Sequence, residues 1–162
     1  MIILKKLIIL TLIIIIFIFG GCGKSSKIGL YEFNNQLNKI SKTNFLAENY
    51  MMTQNKDGEK FLSLNIIDGI ISLFPQNDKT IKGVSLLFTN KSECENNIKL
   101  FRNLCCVLTG NDENTMDNIL NDCEINSDTI DFSNKNFVMT IENYKYTVVS
   151  NEYSVTLFCE RV

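Results

Sequence analysis

The apolar positions of this 162-residue chain change period along its length, and the changes mark its elements. Leu30, Phe33, Leu37 and Ile40 recur at three- and four-residue spacing, with Glu32, Asn35, Gln36 and Lys39 between them. That spacing makes one side of a helix apolar, so 30–41 is predicted to be an amphipathic helix lying on a sheet. Residues 45–54 and 59–67 read as paired strands across the turn sequence Asn55-Lys56-Asp57-Gly58. In the second of them Leu62, Leu64 and Ile66 alternate with Phe61, Ser63 and Asn65, which buries one face. Asp68-Gly69, between two Ile-Ile pairs, predicts a two-residue hairpin turn, because glycine accepts a positive φ there. The third strand is expected to stop at Pro75, which has no N–H to give to a ladder. A fourth strand is predicted over 82–89.

Asn90-Lys91-Ser92-Glu93 and Ser92-Glu93-Cys94-Glu95 are overlapping capping boxes at the start of a long helix. Its apolar stripe is Cys94, Ile98, Phe101, Cys105 and Leu108, and Gly110 is a natural terminator. A shorter helix follows over 114–123, with Met116, Ile119, Leu120 and Cys123 on one face. Strands over 137–142, 144–149 and 153–161 are separated by Asn-containing turns and suggest a meander. No repeat or low-complexity linker interrupts 30–162, so this stretch reads as one domain. Four strands, two helices and then strands is an α+β order. The expected fold is a mostly antiparallel sheet of about six or seven strands, with an N-terminal helix and a central helix pair packed on one face.

The first 29 residues follow a different pattern. Lys5 and Lys6 close a positively charged start, residues 7–19 are apolar and uncharged, and Gly20-Gly21 precedes Cys22. Charge, apolar run and small residues in that order form a secretory signal. The run is too short to cross a membrane, which takes about 20 residues. Phe19-Gly20-Gly21-Cys22 resembles the lipobox of bacterial lipoprotein precursors, over residues 1–22 only, with Phe19 where that family usually has Leu. The resemblance implies a diacylglycerol on the Cys22 thiol and cleavage between Gly21 and Cys22. It implies no cofactor beyond those covalent acyl groups, and membrane lipid as the first partner. The location implied is the outer side of a bacterial cytoplasmic membrane, or an outer membrane where the host has one. Two acyl chains give the stable anchoring that one does not. The chain then divides into a signal peptide, 1–21, a lipidated cysteine with a short tether, 22–29, and the domain, 30–162. Seven tether residues after Cys22 reach at most about 25 Å, which keeps the domain close to the headgroups. Gly23-Lys24-Ser25 is not the end of a phosphate-binding loop, since Ile18 stands where that loop needs glycine.

Loss of 1–21 removes Lys5 and Lys6, leaving 14 of the 16 basic residues against 18 acidic ones, a formal charge of −4. That balance argues against a nucleic-acid partner, whose usual footprint is a basic face. The chain contains no histidine and no tryptophan. Without histidine there is no Ser-His-Asp or Cys-His pair and no imidazole metal ligand. Chemistry through carboxylates, lysine or tyrosine stays open.

Beyond Cys22 there are five cysteines, Cys94, Cys105, Cys106, Cys123 and Cys159. Export permits disulfides, and the odd count leaves at least one thiol unpaired within a monomer. Cys94 and Cys105 share a helix face but lie about 16 Å apart along it, too far to bond. Cys123, on the next helix, can meet either, so Cys94, Cys105 and Cys123 are the disulfide candidates; the alternative is that the thiols are small core hydrophobes. Cys105-Cys106 lacks the C-x-x-C spacing of redox motifs. Asp122, Glu124, Asn126 and Asp128 are spaced like a calcium loop, but Ser127 and Ser133 replace its obligatory Gly and Glu, and no metal site is expected. Tyr144, Tyr146, Tyr153 and Phe158 are either ordinary packing or an exposed sheet face that grips a partner. Asp112, Glu113, Asp117, Asp122 and Glu124 are the candidates if the protein is a carboxylate-dependent envelope hydrolase, which needs two converging acids. Asp112-Glu113 equally suits a helix start. No residue is assigned a catalytic role. The expected function is a non-catalytic binding or interaction domain for a protein or envelope partner. A structural subunit of an envelope complex is the alternative.

Overall fold

Helical spacing sets the first element. α1 (Leu30–Ser41) buries Phe33 and Leu37 completely and ends at Lys42, which adopts a left-handed conformation. A computed structural model of the chain describes residues 28–77, 80–126, 128, 130 and 135–162. The signal segment, with Gly21 and Cys22, and the tether to residue 27 lie outside the described residues, as do Ser127 and Ser133.

After α1 the chain does not enter a strand at once. Asn38 Oδ1 accepts the Phe45 N–H at 2.8 Å, and the Asn34 and Asn38 amides both donate to the Phe45 carbonyl, at 2.8 and 2.7 Å. With both backbone groups of Phe45 held by α1 side chains, neither is free for a ladder. A 3₁₀ turn, Ala47–Asn49, follows, and β1 is only Met51–Gln54, shorter than the strand expected over 45–54.

β2 (Lys60–Ile66), β3 (Gly69–Asn77) and β4 (Thr80–Phe88) complete the first half of the sheet. Their hairpin turn is shifted by one residue from Asp68-Gly69. Ile66 pairs with Gly69, so Ile67 and Asp68 make the turn, with Asp68 at φ +60°. Gly69 is needed for a different reason: a Cβ there would lie 2.5 Å from the Leu87 carbonyl oxygen of β4. β3 also continues past Pro75. Pairing with β2 ends at Leu73, and beyond it β3 pairs only with β4 across two register shifts flanking Pro75. A bulge on a singly paired stretch tolerates the missing N–H.

α2 (Cys94–Thr109) is entered through a 3₁₀ turn, Lys91–Glu93, capped by Asn90 Oδ1 on the Ser92 N–H. It ends at Gly110, φ +80°, whose N–H reaches the Cys106 carbonyl. α3 (Glu113–Asp122) starts at the Asp112 side chain, which accepts from both the backbone and the hydroxyl of Thr115 at 2.9 Å. β5 (Lys135–Ile141), β6 (Tyr144–Ser150) and β7 (Val155–Arg161) form the closing meander.

Among the described residues, seven strands make one antiparallel sheet in the order β1-β2-β3-β4-β7-β6-β5. The two meanders join because the last strand docks on β4, with Leu157 opposite Leu86 and Val155 opposite Phe88. All three helices lie on one face, as the α+β reading expected. Phe33, Leu37, Phe101, Leu104 and Leu108 pack there over Leu73, Val84, Leu86 and Leu157, all fully buried. Among the described residues, the opposite face carries no helix. Phe74 stacks on Phe61 at 5.5 Å and meets Phe158 edge-on at 5.0 Å, beside the small side chains Ser63, Ser72 and Ser85.

Candidate ligand cleft

The α1–Phe45 clasp, the displaced β2–β3 turn and the first turns of α2 surround a cleft of about 860 Å³. Its apolar surface comes from Ile40, Phe45, Ile66, Ile67 and Leu100. Ile67 projects at the hairpin tip, 90% exposed. The polar wall is made mainly of carboxamides: Asn65 from the hairpin, and Asn96, Asn97 and Asn103 from α2. Asn96, Leu100 and Asn103, at positions i, i+4 and i+7, share a helix face.

The two cations in the wall are both neutralised. Lys99 pairs with Glu95 at 2.8 Å, and Arg102 holds Glu113 at 2.7 Å and Asp117 at 3.2 Å. Asn103 is fixed between the Ser41 hydroxyl, to which it donates at 3.1 Å, and Arg102 Nε, from which it accepts at 3.3 Å. Asn97 is not fixed in this way. It is 7% exposed, and its Nδ2 has no hydrogen-bond partner. The Asn34 Oδ1 and the Tyr50 hydroxyl are also buried without partners, but only Asn97 lines the cleft. A buried, unpaired amide donor costs about 1–3 kcal/mol. Among the described residues, no carboxylate, thiol or phenol lines the cleft. The lining offers an apolar floor to a side chain or ring, and carboxamides that both donate and accept.

The candidate carboxylates make the following contacts. Asp112 caps α3, and Thr115 holds its carboxyl below the usual range by hydrogen bonding. Glu113 and Asp117 clamp Arg102, tying α3 to α2. Asp122 is exposed at the end of α3, and Glu124 pairs with Lys135 at 3.1 Å. The one place where two of these acids converge has a guanidinium between them, not a reaction space. Asn126 accepts the Asp128 N–H, closing a turn.

All five described cysteines are free thiols, and no bridge joins the disulfide candidates Cys94, Cys105 and Cys123. Cys94 lies half-buried at the start of α2. Cys105, farther along the helix, lies beside Cys159 of β7, a juxtaposition that helical spacing could not reveal. Cys123 directs its thiol to the Met139 sulfur at 3.8 Å. Burial pushes Cys105 well above its ordinary pKa, and Cys106 and Cys123 up to about 11. These protonated thiols pack as small apolar groups. The aromatic residues divide between faces. The Tyr144 hydroxyl donates to the Leu108 carbonyl and the Tyr146 hydroxyl to the Met116 sulfur, both within the core. Tyr153 is exposed in a turn, and Phe158 lies on the open face, so the four do not form one gripping surface.

The cleft residues are the ones that sequence reasoning missed. The signal available was the cluster of asparagines flanking the apolar stripe of α2. Among the described residues no helix is long and apolar enough to cross a membrane. In comparisons with known proteins, no family model, no curated protein and no solved structure matches the chain.

Proposed function

We propose that the chain is a lipid-anchored binding protein of the bacterial cell envelope, held through Cys22 on the outer side of the membrane and taking an uncharged ligand in the cleft. The anchor rests on the ordered signal ending in Phe19-Gly20-Gly21-Cys22. The binding role rests on one observation, the unpartnered Nδ2 donor of Asn97 beside a neutral, apolar-floored cleft. A polar group kept buried without a partner weakens the fold and is accounted for by a partner that arrives with the ligand. Such a site, with neither a titratable pair nor a nucleophile and base, supports binding over hydrolysis.

Two measurements test the two halves. The intact mass of protein extracted from host membranes is expected to begin at Cys22 and include acyl chains, and an unlipidated mass refutes the anchor. A photo-crosslinking residue at Ile67 is expected to give one saturable adduct in whole cells, abolished by Leu100→Lys. A diffuse set of abundant envelope proteins, unchanged by Leu100→Lys, refutes the cleft. A structural-subunit reading is favoured by the half-buried Phe61-Phe74-Phe158 cluster on the sheet face away from the described helices. It predicts co-purification at fixed stoichiometry that is lost in Phe74→Lys and retained in Leu100→Lys.

A further inference from the structure

The end of the domain where the chain enters is built differently from the cleft end. Ile28 is buried, and its carbonyl accepts the Ile81 N–H at 2.9 Å, so the chain joins the fold beside the start of β4. Around that junction a second hollow, about 590 Å³, is lined by Leu30, Tyr31, Met52, Leu62, Pro75 and Ile81. Tyr31 and Met52 stand out from it, 71% and 62% exposed. A single exposed apolar residue is ordinary. Two of them, at the rim of an apolar hollow and at the point of chain entry, call for a surface to cover them.

The length of chain outside the described residues identifies that surface. Cys22 and Ile28 are six residues apart, a reach of at most about 20 Å. Acyl chains on Cys22 hold its sulfur at the headgroup level, so Ile28 and the side chains around it lie within that distance of the membrane. Along α1, Leu30, which lines this hollow, lies about 15 Å from Ile40, which lines the cleft. We propose that the entry end, with Tyr31 and Met52 at its rim, seats on the lipid surface and so turns the amide cleft away from the membrane. This inference rests on the Cys22 anchor.

The chemistry of the rim suits an interfacial contact. A phenol presents an apolar ring with a polar tip, the combination that favours headgroup depth. The unbranched thioether of methionine adapts to an irregular apolar surface. Among the described residues lining the hollow, Glu32 alone is charged. We take the seating to be apolar in origin, and a contact of that kind needs no anionic lipid.

The absence of tryptophan makes the test direct. Tyr31→Trp, Met52→Trp and Tyr153→Trp each carry a single indole. Tyr153 is a matched control: it is 72% exposed and precedes β7, at the end where Val155 pairs with Phe88, away from the entry point. The full-length lipidated variants, with folding checked by circular dichroism, are placed on phosphatidylcholine vesicles with and without phosphatidylglycerol. Insertion of about 5–10 Å predicts blue-shifted emission at positions 31 and 52. Brominated lipid is expected to quench those positions at least about twice as strongly as position 153, equally in both lipid mixtures. Equal quenching at all three positions, on protein that floats with the vesicles, overturns the seating and leaves the anchor standing. Preferential quenching only with phosphatidylglycerol overturns its apolar basis. Protein with an unlipidated mass that stays off the vesicles overturns the anchor, and the seating with it.

Discussion

Replacing Asn97 by leucine is expected to stabilise the free domain while abolishing ligand binding. Asn97 is more than nine-tenths buried on α2, and its Nδ2 donates to nothing. Taking an amide donor out of water without a partner costs about 1–3 kcal/mol, and leucine removes that cost. Burying a leucine side chain adds about 1.5–3 kcal/mol at full burial, part of which repacking against Leu100 and Asn103 offsets. A net gain of about 1–2 kcal/mol follows, or a rise in Tm of roughly 3–8 °C for a domain of this size. Asn97→Asp is expected to act in the opposite direction, since it places a charge where an amide is already unsatisfied. Urea unfolding followed by far-UV circular dichroism measures both variants, and the Ile67 crosslinking yield reports binding. If Asn97→Leu destabilises the domain by more than about 1 kcal/mol, the carboxamide is making a hydrogen bond that matters to the fold. The argument for a ligand in the cleft is then wrong.

Three further outcomes are expected. Gly69→Ala drives a Cβ to within 2.5 Å of the Leu87 carbonyl oxygen, so β3 and β4 must separate locally; a loss of about 2–3 kcal/mol in urea unfolding is expected, and a neutral result refutes the close approach. Asp112 has a lowered carboxyl pKa in the fold, through its bonds from Thr115, so its capping contribution is complete above the unfolded value near pH 3.9 and is lost as pH falls through the folded value. The stability of Asp112→Ala is then expected to fall less steeply than that of the parent on acidification below about pH 4. Finally, alkylation of folded protein at pH 8 is expected to modify Cys94 first and to leave Cys105, Cys106, Cys123 and Cys159 unreacted until denaturant is added, because the last four are buried. Fewer than five labels on the unfolded domain, counted without Cys22, reveal a disulfide.

The expectation about the thiols shows where spacing along a helix stops being informative. Placing Cys94 and Cys105 on one face of α2 was sound, and so was excluding a bond between them. The neighbour of Cys105 is nevertheless Cys159, which comes from a strand 54 residues later, and only the docking of β7 beside β4 brings it there.

The expectation of an anchor and the local elements are both read from the sequence. Charge, apolar run and Phe19-Gly20-Gly21-Cys22 are read without any structure, and their consequence is chemical. The three helices are legible because their causes are local: the Phe33-Leu37 stripe, the Asp112 cap, and Gly110, which takes the positive φ at the end of α2. Strand alternation is equally local, since neighbouring side chains point to opposite faces. Tertiary structure decided whatever depended on a distant backbone or side chain. Asn34 and Asn38 take Phe45 away from a ladder and delay β1. Contact with β4 sets the turn one residue earlier and gives Gly69 its role. Loss of the β2 partner beyond Leu73 lets β3 carry Pro75. The same long-range pairing places β7 in the middle of the sheet and assembles the cleft from three separate segments. Period and capping act over a few residues and can be read from the chain, whereas register, strand order and concavity depend on which distant groups meet.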